Sequence, residues 1–219
     1  KQASSDLIFI TDSDMIADPN LLKTHLDAHE KNPGAFFQGC TYNLSHYHYP
    51  IFEENITPYI NPLPKNHHKL GWFYFLTGNL SGPKSSFGSG FDENFEHYGW
   101  EDLELGFRRI KKEKHALFFL ADAKNYHYHI LSKKEEIERC TLKGTSAKLF
   151  YQKHPEVTSF VGKHVVSKLA HSLNQKTPGI LHYLEKQGLI SSKKWLRDFS
   201  FWYLKESFFW KGLYTVGPK

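Results

Sequence analysis

The sequence predicts an α/β fold over residues 1–132, built on a mixed sheet, followed by a helical region over 133–219. Three observations carry this. Leu7 to Thr11, "LIFIT", is a continuous apolar run that ends on Asp12, which is how a central strand of a largely parallel sheet reads. Strand-like runs then alternate with helical periodicity as far as about residue 130. From residue 133 onward helical periodicity alone remains.

Asp18-Pro19 opens the first helix, with Asp as cap and Pro suited to the first turn. Leu21, Leu22, His25, Leu26 and His29 give that helix one face, and Pro33-Gly34 ends it. "AFFQGCTY" (35–42) reads as the next strand. Residues 43–70 carry Pro50, Pro58, Pro62 and Pro64 and read as irregular, a length that in a compact domain marks a functional segment. "GWFYFLTGN" (71–79) reads as a strand running into a turn, and 80–95 as a Gly-containing loop. Glu101 to Lys114 reads as a helix with Leu103, Phe107 and Ile110 on one face. "ALFFLA" (116–121) and "NYHYHI" (125–130) read as two strands. The helical region breaks at Pro155, at Thr177-Pro178-Gly179 and at Ser191-Ser192.

A chain of 219 residues with 40% hydrophobic content suffices for one domain with a sizeable core and is marginal for two. No apolar run approaches the roughly 20 residues that span a bilayer, and no signal peptide is visible. The two cysteines, Cys40 and Cys140, form no motif, which fits a reducing, cytoplasmic setting. Lys1 is not an initiator Met and a buried strand follows at once, so an N-terminal portion is expected to be missing. The net charge of +5 and the pI near 9.0 fit polyanion binding, phosphate-bearing ligands or an anionic membrane surface. The basic residues are spread rather than blocked, and no nucleic-acid partner is expected.

Asp12-Ser13-Asp14 places carboxylates at i and i+2 just past a strand end, where both can turn toward one cation. The same pattern also reads as an Asx-turn and helix cap, or as the strand-end acids of a metal-dependent phosphohydrolase. Glu101-Asp102 opens a helix, where capping alone accounts for a carboxylate. Gly99 and Trp100 add a tight corner and a stacking surface. Such a corner can hold a sugar ring and present a base to its hydroxyl. His127 and His129, among 14 histidines, stand out because alternate strand residues share a face. They read as metal ligands or as one ligand and one packing residue.

Strand–"TDSDMIADP"–helix, then "LTGNLSG", then "FGSGFDENFEHYGWEDLELGFRR", then the His-bearing strand resembles the second half of a family 2 glycosyltransferase with a GT-A (Rossmann-like) fold. The third segment also resembles the C-terminal module of β-1,4-galactosyltransferases and bacterial chondroitin polymerases. The resemblance implies Mn²⁺ or Mg²⁺, a nucleotide-sugar donor such as a UDP-sugar, and inverting transfer to a glycan or lipid-linked acceptor in bacterial surface-polysaccharide synthesis. By motif, Asp12 and Asp14 are the D-x-D acids, with Asp14 the more direct ligand. Asp102 is the base and Glu101 binds acceptor beside Trp100. His129 is the late metal-binding histidine, with His127 the alternative. Thr77, Gly78 and Asn79 match the "GGN" turn near the donor sugar, with Thr in place of the first Gly. The nucleotide-binding strands that open the family fold are absent from this sequence. A non-catalytic carbohydrate-binding module of the same fold is the alternative in another class.

Residues 195–214 are dense in aromatics. Trp195, Phe199 and Trp202 share one helical face, and Phe201, Leu204 and Phe208 another, bordered by Lys193, Lys194, Arg197, Lys205 and Lys211. The stretch reads as an interfacial membrane helix at the inner face of the membrane, or as one packed on the catalytic domain or on a sister subunit.

Overall fold

The computed structural model describes residues 3–46, 51, 56–129, 131–160 and 164–214. It divides into two compact units. One comprises 1–92 with 102–130, and the other 93–101 with 131–219. The "ENFEHYGWE" segment (93–101), which the sequence pattern groups with the sheet, therefore belongs with the helices.

The first unit is mixed α/β around a curled six-stranded sheet. Its strands are β1 (Leu7–Ile10), β2 (Met15–Ala17), β3 (Phe36–Leu44), β4 (Ile56–Pro58), β5 (Leu80–Pro83) and β6 (Leu117–His127). The order is β1-β5-β3-β6-β2, with β4 on β3. Among the described residues only β3 and β6 run parallel, and every other pairing is antiparallel. This corrects the expectation of a central β1 in a largely parallel sheet. β1 lies at the end of the strand order, and its four residues are only half-buried. A four-residue apolar run looks the same at either position, since position is decided by which strands pair with it.

The central strand is β3. Phe36 packs into the cluster of Leu70, Phe75, Leu80, Phe87, Leu105, Leu117 and Phe119 on one face. Phe37 packs with Leu21, Ala28, Ala35, Leu120 and Ala123 on the other. Burial on both faces explains why its first residues are apolar without alternation. Helix α1 (Leu21–Lys31) covers the second face with Leu21, His25, Ala28 and His29. Leu22 and Leu26, expected on that face, are instead 56% and 53% exposed. They lie one row around the helix, and the narrow sheet contact takes only the neighbouring row.

Two further expectations are corrected. Residues 71–79 form no strand. They make two 3₁₀ turns, Trp72–Tyr74 and Thr77–Asn79, and the strand is β5 immediately after. The aromatic run marked burial, of Phe75 above all, rather than extension. The helix beginning at Glu101, α2 (Glu101–Gly106), widens into a π-helical stretch over Phe107–Lys112. Glu104, Leu105, Phe107 and Arg109 face inward, whereas Leu103 and Ile110, expected on that face, are only part-buried. The two strands expected at 116–121 and 125–130 are one strand, β6, which ends at His127, and residue 130 lies outside the described residues. The pairing of β6 with β3 jumps between Gly39–Leu120 and Cys40–Lys124, so that Ala121, Asp122 and Ala123 bulge at the point where the sequence pattern breaks.

The second unit is helical: α3 (Lys133–Lys153), a 3₁₀ turn at Pro155–Phe160, α4 (His164–Lys176), α5 (Pro178–Tyr183) with a π-helical extension to Gly188, and α6 (Lys194–Tyr214). A capping box starts α3. Ser132 Oγ accepts from Glu135 N at 3.2 Å, and Glu135 Oε2 accepts from Ser132 N at 2.8 Å. α3 and α6 cross backbone to backbone. A Cβ on Gly144 would stand 2.0 Å from the Phe209 carbonyl oxygen, and one on Gly212 would stand 2.0 Å from that of Thr141. Among the described residues no helix is long and apolar enough to cross a membrane.

Candidate metal centre

β1 ends at Ile10, and the chain turns through Asp12-Ser13-Asp14, with Met15 N donating to the Asp12 carbonyl at 3.4 Å. β2 then pairs antiparallel with the end of β6, Met15 opposite His127. The ladder runs one step further, Tyr128 N donating to the Asp14 carbonyl at 3.1 Å. This register sets the Asp14 side chain between the two imidazoles. Asp14 Oδ2 is 2.8 Å from His129 Nδ1 and 3.2 Å from His127 Nε2. The rings stack, with centroids 5.3 Å apart and planes 9° apart. One donor atom from each residue lies within 4.8 Å of the others.

His127 has a further partner. Asn43, opposite it in the parallel β3–β6 register, offers Oδ1 to His127 Nδ1 at 3.3 Å. That contact holds a proton on Nδ1, so it is Nε2, 3.2 Å from Asp14 Oδ2, that would turn a lone pair to a bound cation. Sequence reading missed Asn43, because nothing in "CTYNLS" points across the sheet.

Two imidazole nitrogens and a carboxylate oxygen form a donor set suited to a divalent first-row transition ion. Mg²⁺ prefers oxygen throughout. All three side chains are about one-quarter to one-third exposed, so the cluster is open to solvent. Burial acts to raise the Asp14 pKa. It is outweighed by the charge of His127 and by hydrogen bonds from His127, its own backbone and His129, so the carboxyl sits below its usual range. Asp12 moves the other way: burial and the charge of Asp14 raise it, against a smaller pull from His127. Asp12, expected as a ligand, is not a member of the three-residue cluster. Its carboxylate lies against Gly78, where an added Cβ would be 3.1 Å from Oδ2.

The chain matches no family model and no curated protein.

The Thr77–Asn79 turn is pinned beside Asp12 by side chains from just past β1 and from β6. The Gly78 carbonyl accepts from Thr11 Oγ1 at 3.1 Å and from Asn125 Nδ2 at 2.8 Å. Asn79, expected to meet substrate, is fully buried, and its amide is committed inward. Nδ2 donates to the Ala123 carbonyl at 2.9 Å, and Oδ1 lies 3.0 Å from His25 Nε2. Its role is to fix the turn that presents Gly78.

Behind Asn79, His25 Nδ1 and His29 Nε2 stand 2.7 and 2.8 Å from one hydroxyl, Ser81 Oγ. Burial lowers His25 to about 4, with His29's charge adding to it against the Asn79 contact, and burial lowers His29 to about 4 from the ordinary 6.5. The unfolded chain therefore takes up protons near pH 6.5 that the folded chain refuses until about pH 4. This contribution to stability is complete above pH 6.5 and is lost as the pH falls toward 4, by about 3 kcal/mol per histidine that titrates. Urea melts across that range should show the fall, and His25→Gln/His29→Gln should flatten it. An equal slope in the variant would discard the assignment.

The Trp-Glu-Asp corner has its own geometry. Gly99 has φ 90° and Trp100 φ 76°, a left-handed conformation rarely taken by a bulky side chain. The Trp100 ring packs on Phe150 and Tyr151, at centroid distances of 5.1 and 5.5 Å. Ser146 Oγ ties the preceding loop by donating to the His97 carbonyl at 3.1 Å. Glu101 opens α2 with Oε2 buried and, among the described residues, without a hydrogen-bond partner. Asp102 is part-buried, and its Oδ1 accepts from Leu103 N at 2.9 Å. The structure thus joins Asp14, His127 and His129 in one cluster and sets Asp12 with Gly78 beside the turn. Asp102 falls in the same unit as that cluster, Trp100 and Glu101 in the helical one.

Proposed function

We propose that the chain is the catalytic portion of a GT-A glycosyltransferase resembling family 2. It is a metal-dependent, inverting enzyme that moves a sugar from a nucleotide-diphosphate donor, a UDP-sugar by preference, to a hydroxyl of a glycan or lipid-linked acceptor. The observation that carries this reading is the meeting of the second D-x-D acid, Asp14, with His127 and His129 from 113 and 115 residues away. Chance strand-end acids, or acids serving only as turn caps, have no reason to collect two imidazoles.

In this reading Asp14, His127 and His129 hold Mn²⁺, with Mg²⁺ the weaker fit. When bound, the cation supplies Lewis acidity that offsets charge on the departing diphosphate. Asp12 and the Gly78 backbone line the donor side. Asp102 takes the proton of the attacking hydroxyl, since a carboxylate suffices when proton loss lags bond formation to an oxocarbenium-like centre. Within the helical unit, Glu101 has a buried oxygen that lacks a donor among the described residues, and an acceptor hydroxyl would satisfy it. Trp100 offers the adjoining apolar face. Nucleotide-sugar chemistry sets the reaction in the cytoplasm, at the inner membrane face when the acceptor is lipid-linked.

The test is a screen of the intact protein for nucleoside diphosphate release from nucleotide sugars. Release should require Mn²⁺ and stop with EDTA. Metal binding without turnover of any donor would leave a carbohydrate-binding module, and release of inorganic phosphate from simple monoesters would leave a phosphohydrolase; either overturns the proposal. Asp102→Asn should lower transfer about 10²–10⁴-fold with donor affinity unchanged. An equal loss of donor affinity in equilibrium binding would remove Asp102 from the base role.

A further inference from the structure

The helical unit leaves an aromatic stripe outside its own packing. α6 turns Ser200, Leu204, Ser207 and Trp210 inward. Trp195, Phe199 and Trp202, spaced i, i+4 and i+7, remain 66, 44 and 54% exposed. Ile190, 75% exposed, precedes them in the turn before α6. Two indoles so open on two successive turns are costly in water, because Trp carries more apolar surface than any other side chain.

Charge on the same part of the chain says what covers the stripe. Residues 131–219 carry 16 Lys and Arg against 7 Asp and Glu, whereas residues 1–130 carry 12 against 16. The whole positive excess lies in the helical region. Lys193 and Lys194 immediately precede Trp195, and Lys194 Nζ is 3.8 Å from Asp198, the acid of that turn. The stripe ends at Glu206, one turn beyond Trp202. Apolar rings preceded by paired lysines match an anionic interface: indole favours the headgroup level, and ammonium groups favour the lipid phosphates.

We infer that the Trp195–Phe199–Trp202 face of α6 docks on the surface of an anionic phospholipid bilayer, with Lys193 and Lys194 against the headgroup phosphates. The helix lies on the surface rather than crossing it, since no described helix is long and apolar enough to span. The inference stands apart from the transfer reading, because it rests on α6 and the charge of its surroundings.

Co-sedimentation of the intact protein with vesicles tests it, comparing phosphatidylcholine alone with phosphatidylcholine mixed with phosphatidylglycerol. Binding should require phosphatidylglycerol and weaken in high salt. Trp195→Ala/Trp202→Ala should weaken it by about tenfold or more. Lys193→Ala and Lys194→Ala should each weaken it about fivefold. Brominated phosphatidylglycerol should quench the indole fluorescence of the unmodified protein, a readout that needs no variant to fold. Absent binding to anionic vesicles, unchanged binding of the tryptophan variant, or absent quenching overturns the inference. So does light scattering that finds a dimer which the tryptophan variant converts to monomer, because the stripe then belongs to a second copy of the chain.

Discussion

Asp14→Ala should lower Mn²⁺ affinity by about a hundredfold or more, since even partners outside the ligand set are worth 10–100-fold. Asp14 is the single carboxylate of the cluster, and its lowered pKa keeps it charged through the neutral range. Removing it leaves two imidazoles and no anion to offset a divalent charge. His127→Ala and His129→Ala should each weaken binding less, because the carboxylate remains. Asp12→Ala is the informative control. Asp12 lies against Gly78 rather than in the cluster, so its loss should cost under about tenfold. Titration calorimetry and the Mn²⁺ electron paramagnetic resonance signal would both report these affinities. Asp14 is one-third exposed, so its variant should lose only about 1 kcal/mol of stability, and weak binding could not be blamed on unfolding. Unchanged Mn²⁺ affinity in Asp14→Ala would remove the metal centre and the proposed function together.

Gly144→Ala should destabilise the helical unit by roughly 3 kcal/mol. Two effects oppose each other. Replacing Gly by Ala inside a helix gains up to about 1 kcal/mol in propensity. Against this, the new Cβ would sit 2.0 Å from the Phe209 carbonyl oxygen and 2.9 Å from Leu213 N, both backbone atoms that no rotamer change can move aside. The helices must separate, and packing of Ile137, Leu184 and Leu204 loosens with them. The clash wins because it displaces a long interface while the propensity gain is local. Gly212→Ala should behave alike, since its Cβ meets the Thr141 carbonyl oxygen at 2.0 Å. Gly179→Ala, in α5 with nothing within 4 Å, should be neutral or stabilising. Thermal melts of the three variants decide the matter, and a Gly144→Ala protein as stable as Gly179→Ala would contradict the close crossing.

Local features of this chain were legible to different degrees. The helical breaks at Pro155, Thr177-Pro178 and Ser191-Ser192 fall where the helices stop, because proline chemistry and loss of periodicity act within a few residues. The aromatic run "WFYF" misled: it sits in a 3₁₀ turn, since burial of an aromatic does not require an extended backbone. The inward row of α1 was half-read, because periodicity shows that a face exists but not how wide a neighbour will cover it. In the site, His127 and His129 could be paired from strand alternation alone, and Asp14 could be singled out by its spacing from Asp12. Asn43, Ser81 and the inward commitment of Asn79 could not be found, because each is defined by its partner across a sheet or under a helix.

By itself, then, the sequence determined β1, β3, most of β6 and the helices, but not β2, β4 or β5, together with the change from sheet to helices near residue 132 and the pairing of His127 with His129. These follow from short-range geometry, the periods of 2 and 3.6 residues and the chemistry of caps and breaks. Tertiary structure alone decided that β1 ends the strand order, that the β6 bulge keeps one strand continuous, and that the β2–β6 register brings Asp14 to His127 and His129. Strand partners and register are set by long-range burial, and a slip of one residue would turn every side chain of β2 to the opposite face and dismantle the cluster.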